Sequence, residues 1–171
     1  YLELELADWK DNRMYRLGVI DHGQFSFIDN HHADWPVALI TNPKHALFAM
    51  PHRENLESII DSTHIRILAF STAPIKSVSA RINNEKWIQC QHIEGPLFVA
   101  RWNSSKYLHG IHQIKTRVID ELNREKEITQ PFSLDGSRLA FKILARFILM
   151  FDATKIFAIA FGIIVIITVI P

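Results

Sequence analysis

The chain has 171 residues, of which 48% are hydrophobic and 22% are charged. This balance suits one ordinary globular domain with a hydrophobic appendage. Lysine and arginine total 19 against 18 acidic residues, so the small net charge gives no reason to expect a nucleic-acid partner. The only cysteine, Cys90, excludes an internal disulfide framework and a cysteine-rich zinc site.

Residues 1–29 are predicted to form strands joined by turns. Leucine alternates with glutamate over 2–6, and two further strands are predicted over 15–20 and 24–28, with a turn at 21–23 between them. The chain starts directly on this pattern, without a methionine or a leader. We therefore expect these strands to be the closing edge of a sheet whose other strands lie upstream, in a longer protein.

A second set of strands follows the polar junction at 30–36, which is the predicted domain boundary. Short apolar segments alternate here with turn signals, as is typical of a β-sandwich. Residues 43–62 interrupt the pattern, and within them 53–60 has the spacing of a short surface helix. The seven predicted strands are 37–41, 64–71, 75–83, 86–91, 97–103, 112–119 and 125–132.

From Ser137 onward the apolar residues follow a helical period, and an amphipathic helix is predicted over 138–152. Arg138, Lys142 and Arg146 recur every four residues beside a wide apolar face. Such a helix would lie well in a lipid headgroup layer. The alternative is a helix packed on the sandwich.

The segment 156–170 is an uncharged aliphatic run, and a transmembrane region is predicted to begin within 155–171. As a helix the run would reach about 22 Å, less than the hydrocarbon core of about 30 Å. We therefore expect the chain to be cut within a membrane span. The alternative is a buried core helix, and the lack of a polar face makes a surface or half-buried helix unlikely. The apolar residues after Gly136 and Ser137 disfavour a cleaved lipid-anchor signal.

Nine histidines raise the question of a metal site. His31 and His32 are adjacent, and neighbouring side chains of regular structure cannot both point inward. His109 and His112 are expected to diverge at the entry to a predicted strand. No nucleophile elbow, phosphate-binding glycine loop or paired-carboxylate motif occurs. We predict no catalytic residue, no metal ligand and no cofactor in these 171 residues.

Asn103, Ser104 and Ser105 form an acceptor sequence for N-glycosylation on a predicted loop. The acceptor matters only on the lumenal or extracellular side of a membrane. The basic residues that precede the apolar run, however, favour a cytoplasmic location for the part of the chain before that run, which includes Asn103. We expect an integral protein of endomembranes or the cell surface with a lumenal or extracellular sandwich, because an interfacial helix can lie on either side.

Several stretches of the chain resemble the transmembrane protein 62 family and together cover most of the first 120 residues. They are LELELADWKDNR (2–13), WPVALITNPK (35–44), STHIRILAF (62–70), GPLFV (95–99), Trp102 with Asn103, and GIH (110–112). Members of that family look like a calcineurin-type metallophosphoesterase domain followed by an immunoglobulin-like domain and several membrane helices.

The resemblance implies a division of this chain. Residues 1–29 would be the last strands of a phosphoesterase-like domain, 35–134 the immunoglobulin-like domain, 138–152 the juxtamembrane helix and 155–171 the first membrane region. Phosphoesterases of this type bind two divalent metal ions through motifs of the GDxH, GNHD and GHxH kinds. None of these motifs occurs here, so the resemblance implies that both ions belong to an upstream domain.

The predicted fold is mainly β: an immunoglobulin-like β-sandwich preceded by closing strands of an upstream sheet and followed by an amphipathic and a transmembrane helix. The predicted function is that of a non-catalytic, membrane-proximal domain whose partners are the lipid bilayer and an upstream phosphoesterase-like domain. One alternative is a binding or adhesion module whose upstream domain has lost its metal ligands. Another is a channel or transporter, which the uncharged apolar run does not support.

Overall fold

Ten antiparallel β-strands occur among the residues that the computed structural model describes, which are 4–50, 53–137, 139 and 152–169. The chain divides into two units, Tyr1–Leu139 and Ala140–Pro171, and the strands belong to the first. In chain order they are Met14–Asp21 (β1), Gln24–His31 (β2), Val37–Asn42 (β3), His64–Phe70 (β4), Ile75–Ile82 (β5), Ile88–Gln89 (β6), Gln91–Glu94 (β7), Leu97–Arg101 (β8), His112–Asp120 (β9) and Glu125–Phe132 (β10). Short helical turns occupy Trp9–Asn12, Ala46–Phe48, Glu57–Ile60 and Ser104–Tyr107.

Eight of the strands form two four-stranded sheets, ordered β3-β4-β8-β7 and β10-β9-β5-β6. If β3 to β10 are lettered A, B, C, C′, D, E, F and G, the sheets read A-B-E-D and G-F-C-C′. This is the arrangement of an immunoglobulin domain. The predicted mainly β, immunoglobulin-like fold is therefore confirmed.

The core lies between the two sheets and is built from alternating aliphatic residues. Ile65 and Ile67 of β4 and Ile114 and Val118 of β9 are fully buried, because successive strand residues face opposite sides of a sheet. In antibody domains a disulfide joins the corresponding strands. Here hydrophobic burial, which contributes about 1.5–3 kcal/mol per side chain of this size, takes its place.

The prediction of one strand over 86–91 is wrong, because the chain changes sheets within that segment. β6 pairs with β5, whereas β7 pairs with β8 of the other sheet. Cys90 lies between them, and its N–H donates to the carbonyl of Val78 at 2.8 Å. Burial raises the pKa of the Cys90 thiol to about 12, so the thiol stays protonated at neutral pH.

The strand predicted over 2–6 is not found in its described part. Residues 4–8 form no strand. The Asp8 carboxylate instead accepts a hydrogen bond of 2.7 Å from the N–H of Asp11 and caps the short helix Trp9–Asn12. Alternating leucines do not make a strand without a neighbour that can accept and donate backbone hydrogen bonds.

β1 and β2 form a separate hairpin, in agreement with the strands predicted over 15–20 and 24–28. The turn consists of His22 and Gly23, whose φ angles are 50° and 76°. Two successive residues in this left-handed region define a type I′ turn, which matches the twist of the strands it joins.

The second unit contains the helix Ala153–Val169. Its apolar side chains are largely exposed, with Phe157 at 72% and Ile167 at 71%. Among the described residues, no helix is long and apolar enough to cross a membrane, so the predicted span stays a prediction. The predicted amphipathic helix at 138–152 lies outside the described residues, apart from 139 and 152.

Candidate functional site

Polar side chains hold the hairpin against the sandwich, and their contact contains a fully buried ion pair. The Nζ atom of Lys44 lies 2.5 Å from Oε1 of Glu54, and the two side chains are 1% and 3% exposed. Both residues come from the connection between β3 and β4. A buried ion pair requires good geometry and further hydrogen bonds to offset the loss of hydration.

The further hydrogen bonds come from the backbone of the hairpin. Lys44 Nζ donates to the carbonyl of Phe25, and the N–H of Phe25 donates to Oε1 of Glu54 at 2.9 Å. Oε2 of Glu54 accepts from the N–H of Met50 at 3.0 Å. We call Phe25, Lys44 and Glu54 the clamp.

The clamp satisfies the two backbone groups of Phe25 that a neighbouring strand would otherwise pair. Asp21 and Gln24 flank a two-residue turn and pair with each other, so they form a hydrogen-bonded pair, and bonded and non-bonded pairs alternate from there. Phe25 is therefore at a non-bonded position, where its N–H and C=O point away from β1. In a wider sheet the next strand would satisfy these two groups, whereas here Glu54 and Lys44 do so.

Two buried polar residues of β2 outside the clamp also make specific hydrogen bonds. Gln24 Nε2 donates to the carbonyl of Asn55 and to Oγ of Ser58, both at 3.0 Å. At the far end of the strand, Asn30 Nδ2 donates to the carbonyl of Asp34 at 2.9 Å. The polar junction at 30–36 is thus folded back onto the hairpin by specific hydrogen bonds.

Asp21, at the tip of the hairpin, reaches the sandwich directly. Its Oδ2 accepts hydrogen bonds of 2.6 Å from Thr41 Oγ1 and from Arg66 Nε. Burial raises the pKa of Asp21, but the hydrogen bonds from Thr41, Arg66 and His22 and the charge of Arg66 outweigh that effect and hold the pKa below its usual 3.8. The carboxylate is therefore ionised at neutral pH, which keeps this contact intact.

The outer face of the hairpin carries a second, more exposed cluster. The Arg16 guanidinium forms two hydrogen bonds with the carboxylate of Asp29, at 2.6 and 2.7 Å, and lies 4.7 Å from the ring centroid of Phe27. The Phe27 ring in turn contacts Phe48, with centroids 4.7 Å apart. This face is therefore ordered by a cation–π contact and a bidentate ion pair.

The histidines singled out in the sequence lie apart from the clamp. The ring of His32 packs edge-on against Trp9, with centroids 5.4 Å apart, and His31 ends β2. His112 Nε2 lies 3.0 Å from the carbonyl of His109. In the described part of the chain, no group of three or more His, Cys, Asp or Glu side chains could hold a metal ion. These residues do not fit a dinuclear metal centre.

Asn103 lies at the surface, at the start of the turn Ser104–Tyr107. Its Oδ1 accepts a hydrogen bond of 3.1 Å from the N–H of Ser105, while Ser104 is buried and donates its hydroxyl to the carbonyl of Ile60. The acceptor asparagine is thus exposed on an anchored loop.

The outer face of the G-F-C-C′ sheet carries charges of both signs. Trp87 lies between the guanidinium groups of Arg81 and Arg117, at 4.8 and 4.9 Å from its ring. Arg117 also pairs with Glu127 at 2.7 Å. The hydrogen bond to Glu127 is the main cause that raises the pKa of Arg117, and the negative charges of Glu125 and Glu127 raise it further. Opposite charges neutralise each other here, as on an ordinary solvated sheet.

Sequence reasoning missed the clamp. Lys44 follows a proline, Glu54 lies in an irregular segment, and charged residues in such positions are normally solvated. The signal that could have found them is the hairpin register, which leaves the backbone of Phe25 in need of a donor and an acceptor.

The fold and the clamp define an immunoglobulin-like domain with a hairpin fixed to its side. The family model for the TMEM62 Ig-like domain matches residues 32–138. Transmembrane protein 62 of mouse is 44% identical over 167 residues, which make up 97% of this chain and 26% of the mouse protein. The chain therefore belongs to the transmembrane protein 62 family and spans about a quarter of the length of this curated relative. No solved structure matches the chain.

The family match sharpens the meaning of the clamp. The matched segment begins at residue 32, so the hairpin, which ends at His31, lies outside it. Lys44 and Glu54 lie inside it. The clamp therefore joins the immunoglobulin-like domain to a structural element that the domain's own family model does not include.

Replacing Lys44 with methionine should lower the free energy of unfolding by about 3–5 kcal/mol, because Glu54 would keep a buried charge without its partner. Urea unfolding of the 171-residue chain at pH 7 measures the loss. In a double-mutant cycle, Lys44→Met with Glu54→Gln should cost less than the sum of the two single changes.

The surface pair Lys115 and Glu127 is the matched control. Its atoms lie 3.0 Å apart with both side chains 31% exposed, so Lys115→Met should leave the urea midpoint almost unchanged because solvent screens the pair. Equal losses from Lys44→Met and Lys115→Met would contradict the role given to the clamp.

Proposed function

We propose that this chain is a non-catalytic, membrane-proximal part of a longer protein. In this role the immunoglobulin-like sandwich holds an upstream phosphoesterase-like domain in a fixed orientation. The observation that carries the proposal is the clamp. It fixes a hairpin from outside the matched segment, 32–138, onto the sandwich through a buried ion pair.

The chemistry of the clamp favours rigid attachment over a flexible linker. Lys44 and Glu54 are almost completely buried, and separating them from Phe25 would leave two desolvated charges and two backbone groups without partners. A contact of this kind is either fully formed or lost. It therefore suits a joint that fixes the direction in which the preceding chain leaves the domain.

The phosphoesterase part of the proposal rests on the sequence resemblance of the first strands. The upstream domain would hold two divalent metal ions, and the hydrolytic chemistry would be theirs. The residues described here provide neither a metal site nor a reactive thiol, since the pKa of Cys90 is raised to about 12. The proposed role of this chain is mechanical.

The bilayer part of the proposal is supported by the helix Ala153–Val169. Between Lys155 and the end of the helix there is no charged residue, and apolar side chains such as Phe161 and Ile166 are 69% and 58% exposed. Exposed apolar surface of this extent is unfavourable in water and favourable in lipid. We propose that this helix contacts the bilayer.

A comparison of the full-length protein with the 171-residue chain tests this division of roles. The full-length protein should hydrolyse bis(p-nitrophenyl) phosphate in the presence of Mn²⁺ and retain two metal ions per chain by elemental analysis. The 171-residue chain should do neither. A tightly bound metal ion in the short chain would overturn the assignment, and an inactive, metal-free full-length protein would favour an adhesion module instead.

A lumenal or extracellular sandwich predicts a glycan on Asn103. In mammalian cells, Asn103→Gln should abolish a mobility shift that a glycosidase removes from the wild-type protein. Asn123→Gln is the control, since Asn123 is exposed but is followed by Arg124 and Glu125 and is no acceptor. If wild type and Asn103→Gln migrate identically before and after glycosidase treatment, the proposed topology is wrong.

A further inference from the structure

The contact between the hairpin and the sandwich, which we call the joint, contains a half-buried histidine that the clamp does not use. His45 follows Lys44 directly and precedes the helical turn Ala46–Phe48. Its Nδ1 atom accepts a hydrogen bond of 3.1 Å from the N–H of Leu47. An imidazole nitrogen that accepts a hydrogen bond carries no proton, so the ring of His45 is neutral here, with its proton on Nε2.

The ring of His45 is the end of a row of aromatic side chains that reaches the clamp. It contacts the ring of Phe48, with centroids 4.7 Å apart. Phe48 in turn contacts Phe27 of β2 at 4.7 Å, and Phe27 stacks on Phe25 at 5.9 Å. A change in the position of the His45 ring would therefore disturb the packing of the hairpin.

The strands around His45 provide no group that could pair with a charged imidazole. A small cavity beneath the hairpin is lined by His45, Lys44 and Phe48 together with residues of β2, β3 and β10. None of these strand residues is titratable. They are Phe25, Ser26, Phe27, Ile40 and Gln130.

The charged groups of the joint also oppose a proton on His45. Lys44 is positive and adjacent in sequence, while the carboxylate of Glu54 is engaged by Lys44 and by backbone N–H groups. On the hairpin, Arg16 contacts the ring of Phe27 and is paired with Asp29. Burial, and then the positive charge of Lys44, lower the pKa of His45 below its usual 6.5.

We propose that His45 makes the joint sensitive to pH, so that the hairpin is held firmly at neutral pH and loosened by acid. A proton on Nδ1 would face the N–H of Leu47, which donates to that atom in the neutral form. The hydrogen bond would be lost, and the ring would have to turn away from Phe48. A second positive charge would also lie beside Lys44.

The sign of the effect follows from the lowered pKa. Because the folded form binds the proton less readily than the unfolded form, the contribution of His45 to stability is complete above pH 6.5, its usual pKa. It is lost as the pH falls from there through the lower pKa of the folded form. The inference rests on the proposed function for its meaning: in a lumen that becomes acidic, the upstream domain would lose its fixed orientation.

Hydrogen exchange of the 171-residue chain tests the pH sensitivity. The reporter is the amide of Phe25, which donates to Glu54 in the clamp. His45→Asn is the matched variant, because the amide oxygen of asparagine can accept from the N–H of Leu47 and does not titrate. Between about pH 7.5 and about pH 5.5, the protection factor of Phe25 should fall at least about threefold more in the wild type than in His45→Asn. A smaller difference would overturn the proposal.

An NMR titration of the His45 ring needs no variant, and it decides if His45→Asn does not fold. In the folded wild-type chain, the midpoint should lie below the midpoint of the same ring in the urea-unfolded chain. A folded midpoint equal to or above the unfolded one would refute the pH-sensitive joint.

The same exchange data separate this inference from the proposed function. If Phe25 is well protected at both pH values, with the same protection factor, the pH sensitivity is refuted and the rigid attachment stands. If Phe25 is unprotected at both pH values, the attachment itself fails, and the proposed function fails with it.

Discussion

The buried ion pair between Lys44 and Glu54 is the interaction on which the arrangement of the first unit depends. Removing two charges from water costs several kcal/mol for each ion, even after relaxation. The cost is offset because the two ions attract each other at 2.5 Å and because both bond to the backbone of Phe25. Neither ion could be spared without exposing the other to a medium that cannot solvate it.

The clamp attaches the hairpin to the sandwich. A hairpin alone is marginally stable in water, and β1 and β2 share no ladder with either sheet of the sandwich. At Phe25, side chains from the connection between β3 and β4 provide the donor and the acceptor that a third strand would provide. The long connection, which interrupts the regular strand pattern, therefore holds the hairpin against the sandwich.

The proposed role of the immunoglobulin-like domain is mechanical. The proposed role needs a stiff sandwich, a fixed hairpin and an attachment to lipid, and each has a separate physical basis. Aliphatic packing of residues such as Ile67 and Val118 stiffens the sandwich. The clamp fixes the hairpin, and in the proposed role the apolar helix Ala153–Val169 would contact lipid.

The sequence alone was sufficient for the strands whose burial alternates. In β4 and β9 partly buried and fully buried residues alternate, and the hairpin turn has a glycine where a left-handed residue is required. Two local predictions failed because they depend on neighbours distant in sequence. The segment 86–91 divides between two sheets at Cys90, and the leucines of the first residues have no partner strand in the described chain.

The clamp could not be predicted for a related reason. Lys44 and Glu54 have no characteristic spacing, and their role depends on the register that turns the backbone of Phe25 toward them. The role of a buried polar residue can be predicted from sequence only when its hydrogen-bond partners lie close to it in the chain. Here the surroundings are assembled from three separate segments.

The clamp should join the hairpin and the sandwich into one cooperative unit. The most direct test is native-state hydrogen exchange of the 171-residue chain under mild denaturant. The amides of Leu17 and Val19 in β1 should open with the same free energy as that of Val118 in the core, and Lys44→Met should separate them. If the hairpin amides of the wild-type chain open at a free energy well below that of Val118, with the same difference in Lys44→Met, the clamp does not unite the two and the account is contradicted.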